Sequence, residues 1–145
     1  MSTETNKAVV RRFLVEMFSQ GKLAVADEIV APEHVDRGPG TVPGLPPGPE
    51  GTKMFVTVYR NAFPDVQFTI DEQIAEGDKV VTRWTARGTH KGELAGIQPT
   101  GKSSTVTGMT VDRFMNGKVV ESWGIFDQFG MLQQLGVIPA PGQNK

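Results

Sequence analysis

The sequence predicts an α+β fold in which a strongly curved antiparallel sheet wraps around N-terminal helices. Three observations lead there. Apolar residues recur at helical spacing up to about residue 62, and they alternate every second residue between about 66 and 126. Asn116-Gly117, a strong hairpin signal, sits between two of the alternating runs.

The first helix is expected from about Glu4 to Gln20. Val9, Val10, Phe13, Leu14, Met17 and Phe18 form one apolar stripe, with Arg11, Arg12 and Glu16 off it. Gly21 stops it. A shorter helix, Leu23 to Val30, ends before Pro32, and a brief segment, His34 to Arg37, leads into GPGTVPGLPPGPEG. Five of the ten prolines fall in that stretch, which makes it a loop and, in a single domain, a rim or lid. A third helix begins near Pro49-Glu50, carries Met54, Phe55, Val58, Tyr59 and Ala62 on one face, and ends at Phe63-Pro64-Asp65.

Strands follow. Val66 to Ala75 turns at Gly77-Asp78 into Lys79 to His90, with Val80, Thr82, Trp84 and Ala86 on one face and Arg83 and Arg87 on the other. A link over Gly96 to Lys102 leads to a third strand, Ser103 to Met115. The Asn-Gly turn then opens a fourth, Lys118 to Phe126. Asp127 has the chemistry of an N-cap for a last short helix, QFGMLQQLG, closed by Gly136 and followed by Pro139.

The 145 residues, 38% of them hydrophobic, are enough for one core, so residues 1–145 are expected to form a single domain. Fifteen Lys and Arg against 16 Asp and Glu leave a net charge of -1, which argues against a nucleic-acid or membrane-surface partner. The absence of cysteine excludes disulfides, thiolate metal sites and thiol catalysis. With only His34 and His90 available, a His-rich metal centre is not expected, and no cofactor is implied. The start, MSTETNKAVVRRF, offers no apolar stretch for a signal peptide, so the expectation is a soluble, cytoplasmic protein. A curved sheet partly closed by helices leaves a cone, and its mouth is the natural site for a small hydrophobic molecule.

Several segments, in order and spacing, resemble the SnoaL-like polyketide cyclase (ester cyclase) family of the NTF2-like superfamily. They are Ala62-Phe-Pro-Asp65, Ala75-Glu-Gly-Asp-Lys-Val80, Gly88-Thr-His-Lys-Gly-Glu93, Pro99-Thr-Gly-Lys102, Asn116-Gly-Lys118, and Asp127 followed by Leu132-Gln-Gln-Leu-Gly136. The resemblance implies an NTF2-like cone, a homodimer or higher homo-oligomer, and intramolecular aldol ring closure of a polyketide methyl ester without metal or cofactor. In the implied mechanism a last-strand aspartate removes a proton from carbon, assisted by a histidine on the preceding strand. Those two positions fall here at Gly124 and Thr110, and a pocket asparagine of the family falls at Asp36. The family's acid/base pair is therefore absent at its usual places.

Residue types on the strands leave other carboxylates. Thr110, Asp112 and Phe114 share one face, as do Ser122, Gly124 and Phe126. If those faces line the cone, Asp112 stands beside the vacated pair, and Asp36 reaches the same space from the early segment. Two carboxylates in one apolar pocket have their pKa values pushed apart and can divide acid and base work. Asp36 and Asp112 are thus the catalytic candidates, with His34, Thr110, Ser122, Gly124, Trp84 and Tyr59 as pocket residues.

Each has a plainer reading. Asp112 can sit on the solvent face beside a Lys or Arg, and Asp36 can be a turn residue before Gly38. His90 fits a structural bond to loop backbone, and Asp127 a helix cap. Trp84, Trp123, Tyr59, Phe55 and Met54 have the composition of a core. Arg113 must face away from Asp112, together with Met109 and Val111, on a surface suited to a dimer interface. Three functions follow: an acid–base enzyme acting on a hydrophobic polyketide-like or ester substrate; a binding or accessory protein that keeps the pocket without the pair; and epoxide hydration by Asp36, Asp112 and one of Arg37 or Arg83.

Overall fold

The computed structural model describes residues 2–39, 41–139 and 142. Helix α1, Thr3–Arg12, is capped by Ser2, whose Oγ accepts from the Thr5 amide at 3.0 Å. It runs directly into a π-helical stretch, Phe13–Ser19. There the wider turn, marked by Gln20 N–H donating to Val15 C=O at 3.1 Å, turns Leu14, Met17 and Phe18 inward. Gly21, at φ +75°, ends the helix as expected. Helices α2, Val25–Ile29, and α3, Gly48–Ala62, follow, with strand β1, Val30–Asp36, between them. The chain continues through β2, Gln67–Glu76; β3, Lys79–Thr89; β4, Ser103–Met115; β5, Lys118–Phe126; and α4, Gln128–Gln134.

The sheet order is β1-β5-β4-β3-β2. Four strands form the expected antiparallel meander, but β1 lies parallel to β5, so the sheet is mixed and not closed. By sequence, residues 34–37 read as a connecting segment; in the fold residues 34–36 end strand β1. A parallel neighbour needs a long crossover and leaves no hairpin signal, and Pro32 weakens the strand pattern except at an edge, where β1 lies. Register breaks between Ile70 and Glu72, between Arg113 and Phe114, and between Val30 and Val35 bend the sheet around the helices.

Val10, Leu14, Met17 and Phe18 pack with Val56, Val80, Trp84, Phe114 and Val119 as the main core. A second cluster, including Ala62, Phe63, Val106, Met131 and Leu135, fills the opposite end. Two residues with the composition of core lie elsewhere: Met54 is 49% exposed on α3, and Trp123 is 36% exposed on the outer face of β5. Odd parity carries Trp123 outward, away from Ser122 and Gly124. Met109, Ile125 and Ile74 are also exposed, so the outer sheet face carries a patch of large apolar side chains.

Candidate active site

Strand parity sorts the chemistry. Even-numbered residues of β3, β4 and β5 line a cavity of about 530 Å³, among them Trp84, Thr110, Asp112, Ser122, Gly124 and Phe126. Opposite them stand Phe18 of the π-helical stretch and Phe55 and Tyr59 of α3. Edge contacts link Phe18 to Phe55 at 5.8 Å, Phe55 to Tyr59 at 5.3 Å and Tyr59 to Phe126 at 6.1 Å. Phe68 bridges Phe18 and Trp84 at 4.7 and 5.0 Å, so aromatic rings wrap much of the wall. The α3 residue Thr52, whose buried hydroxyl has no hydrogen-bond partner among the described residues, also lines the cavity. Nothing in its sequence context marks it.

The proline-rich loop forms the rim, with Thr41, Pro43 and Leu45 on the cavity. Close backbone approach fixes its ends. A Cβ at Gly38 would lie 2.2 Å from the Gly124 backbone, and one at Gly51 would lie 1.9 Å from the Pro46 carbonyl oxygen. Arg37, at the start of the loop, is tied to Glu121 on the outer face, which also accepts from Arg113 at 2.9 Å.

One rung of the sheet carries the polar groups. Asp36 pairs in register with Ser122, and Ser122 with Asp112, so the two carboxylates flank a serine on three adjacent strands. Two strand spacings put their backbones about 10 Å apart. Ser122 Oγ donates to Asp112 Oδ1 at 2.6 Å, and His34 Nε2 lies 2.9 Å from Ser122 Oγ. The next rung pairs Thr110 with Gly124, the two positions to which the sequence resemblance assigns the family's acid/base pair. Thr110 there accepts from Trp84 Nε1–H at 3.2 Å, and a Cβ at Gly124 would meet only Thr110, at ordinary contact distance.

Burial dominates the electrostatics. Asp112 is 7% exposed and has no cationic partner among the described residues, so burial pushes its carboxyl up to about 7, with the charge of Asp36 adding to the rise and the Ser122 bond opposing it. Asp36 is raised by burial against bonds from Gly38 N–H and Thr41. It is therefore both a turn residue and a cavity residue. His34, 9% exposed, is pushed down to about 4 by burial and is a neutral imidazole at ordinary pH. Burial also raises the Tyr59 phenol, helped by Asp36 across the cavity.

The solvent-face reading of Asp112 is overturned, because its side chain points inward. The constellation expected for epoxide hydration does not assemble. Arg83 lies on the outer face against Asp71 and Glu72, opposite in parity to the inward Trp84, and Arg37 is held by Glu121. Asp127 caps α4 by accepting from Gly130 N–H at 2.9 Å. His90 is fully buried, and its Nδ1 accepts from the Thr100 amide at 3.2 Å, which anchors the 90–102 loop. Among the described residues, no helix is long and apolar enough to cross a membrane. No group of three His, Asp or Glu among them is placed to hold a metal ion.

The model of the SnoaL-like polyketide cyclase family matches residues 8–135. Among solved structures, the chain is similar to IdmH from Streptomyces antibioticus, described as a "putative polyketide cyclase", at 35% identity over 90% of this chain and 98% of that one, TM-score 0.76. AclR from Streptomyces galilaeus, a "putative hydroxylase", matches at 27% identity over 98% of this chain and 87% of that one, TM-score 0.82. TsrD from Streptomyces laurentii, at 24% identity over 95% and 99% with TM-score 0.85, shares the fold. The architecture is the NTF2-like cone of these neighbours. No curated protein matches the chain by sequence.

Proposed function

The chain belongs to the SnoaL-like polyketide cyclase family, and from that premise we propose that it is a cofactor-free acid–base enzyme acting on a hydrophobic, polyketide-like substrate. One observation carries the reading. A buried carboxyl with no cationic partner among the described residues, Asp112, shares a sheet rung with a second carboxyl, Asp36, inside an aromatic cavity. Buried carboxyls with raised pKa values concentrate at sites of proton transfer.

The two groups divide the work of an aldol ring closure. Asp36, the less strongly raised, takes the proton from an activated carbon. The enolate attacks a second carbonyl of the same molecule, forming the ring bond. Asp112, the weaker acid, gives its proton to the alkoxide that results. No charge is left on the product, and the enzyme ends with Asp36 protonated and Asp112 ionised. Relative to the family's usual pair at the Thr110–Gly124 rung, the carboxyl chemistry moves one rung along the sheet.

A planar polyketide-like methyl ester with an activated methylene tests the assignment. Asp36→Asn and Asp112→Asn should each lower turnover by about 10²-fold or more while ligand binding persists, the usual scale for losing a general acid or base. Deuterium wash-in at the activated carbon should vanish in Asp36→Asn and survive in Asp112→Asn. Full turnover in both variants would refute the reading. The second reading is a non-catalytic small-molecule binder, favoured by Thr110 and Gly124 standing where the family pair belongs. It predicts binding of the same ester with no exchange at all. In either case the protein is read as a homodimer through the outer sheet face, where Met109 and Ile125 are half exposed.

A further inference from the structure

The proposed cycle leaves Asp112 without a proton at the end of each turnover. The side chains that line the cavity beside the carboxyl, Ser122 and His34, offer a way to return it. We propose that His34 and Ser122 are positioning residues that form a reversible proton path to Asp112. This inference rests on the acid–base reading of the cavity.

With Asp112 ionised, its acceptor-only carboxylate sets the direction of the chain. Ser122 Oγ–H donates to Asp112 Oδ1 at 2.6 Å, so the serine oxygen has a lone pair left to accept from His34 Nε2–H at 2.9 Å. The imidazole is then the Nε2–H tautomer. When a proton reaches Nδ1 from water, the Nε2 proton passes to Ser122 Oγ, and the serine's own proton passes to Asp112 Oδ1. One proton enters at Nδ1 and one arrives on the carboxyl. The imidazole ends neutral as the Nδ1–H tautomer, with Ser122 O–H now donating to Nε2. Each hydrogen bond survives with its direction reversed, which is what a relay requires.

The surroundings favour passage over storage. Burial disfavours the imidazolium, so His34 hands a proton on and does not keep it. The charged and titratable groups facing this chain are few. Asp36 stands on the same rung, Tyr59 faces it from α3, and Glu121 lies behind on the outer face, already neutralised by Arg37 and Arg113. None of these hydrogen-bonds to Asp112, so Ser122 is the carboxyl's one hydrogen-bond neighbour among the described residues.

The test uses the ligand-free full chain, labelled with 15N and 13C, over pH 5.5 to 8.5. His34 ring-nitrogen shifts report the tautomer, His34→Gln identifies them, and the Asp112 carboxyl carbon reports its own titration. The relay predicts that His34 changes from Nδ1–H to Nε2–H with the midpoint at which Asp112 ionises. In Ser122→Ala the tautomer change disappears and the Asp112 midpoint rises by about one unit or more, as loss of a hydrogen bond to a charged acceptor requires. Ser122→Thr, which keeps a hydroxyl, retains both behaviours. Nε2–H at every pH while Asp112 titrates, or an Asp112 carboxyl that stays in one state throughout, overturns the proposal in the wild-type protein even if Ser122→Ala fails to fold. Activity is not read here, so loss of the acid–base reading shows separately, as turnover that survives in Asp36→Asn and Asp112→Asn.

Discussion

Replacing Asp112 by asparagine should reverse part of the pH dependence of stability, and the structure sets the size of the effect. The folded state holds this carboxyl at about 7 against an ordinary value of 3.8. Because the folded pKa is raised, the stability it contributes is complete below pH 3.8 and is lost as pH climbs through 7. About three pH units at about 1.4 kcal/mol each give a loss of about 4 kcal/mol across that window. His34 acts in the opposite sense. Its folded value of about 4 lies below the ordinary 6.5, so its contribution is present above pH 6.5 and lost on acidification, about 3 kcal/mol in all. Between pH 4 and 6.5 the two slopes oppose each other and nearly cancel in the wild type. The amide introduced by Asp112→Asn keeps an oxygen for the Ser122 hydroxyl but cannot ionise. The His34 slope then stands alone, and Asp112→Asn gains on the wild type as pH rises. His34→Gln exposes the other slope and gains on the wild type as pH falls. Urea unfolding in half-unit steps from pH 4 to 8, compared as differences from wild type, removes the background of the remaining carboxylates. A difference between Asp112→Asn and wild type that stays constant within about 0.5 kcal/mol over the window would refute the burial argument.

Gly38→Ala should cost about 1–3 kcal/mol and displace the rim loop, because its Cβ would meet the Gly124 backbone at 2.2 Å and no rotamer change relieves that; an unchanged melting curve would count against the close approach. Gly124→Asp should fold, since a Cβ there finds only Thr110, with Oγ1 at 3.6 Å, and it places a third carboxyl beside the pair. The Asp112 carboxyl should then move further up, read by its carbon shift, and aldol turnover should rise if a base at that rung was what the cavity lacked. Met109→Lys with Ile125→Lys should convert a dimer to monomers in sedimentation without loss of helix or strand signal, as both side chains are half exposed on the outer face; a protein that sediments identically before and after would rule out that face.

Much of the molecule is legible in the chain because its signals are local. The Asn116-Gly117 turn, the Asp127 cap and the alternation along β3 to β5 each depend on a few neighbouring residues, and each is found where spacing places it. Alternation also groups Asp112 with Thr110 and Ser122 with Gly124, although it leaves open which face turns inward. Packing chooses it, because the helices cover the even-numbered face. The strand β1, the π-helical turn over Phe13–Ser19 and the surface position of Trp123 lie outside local reach. A parallel pairing has no turn, a π turn has no composition, and an exposed tryptophan looks the same in sequence as a buried one.

The site divides along the same line. Residue types alone exclude thiol chemistry, since no cysteine is present, and they supply the carboxylates and the two histidines from which the candidates are drawn. Tertiary structure alone decides which of them act together. His34 and Ser122 are 88 residues apart in the chain, yet they meet at 2.9 Å because β1 pairs with β5. The same pairing sets Asp36 on the rung of Asp112. The raised pKa of Asp112 comes from its burial in a cavity whose walls are contributed by distant elements. A sequence lists the carboxyl, but desolvation belongs to the three-dimensional neighbourhood, and that neighbourhood sets its acidity.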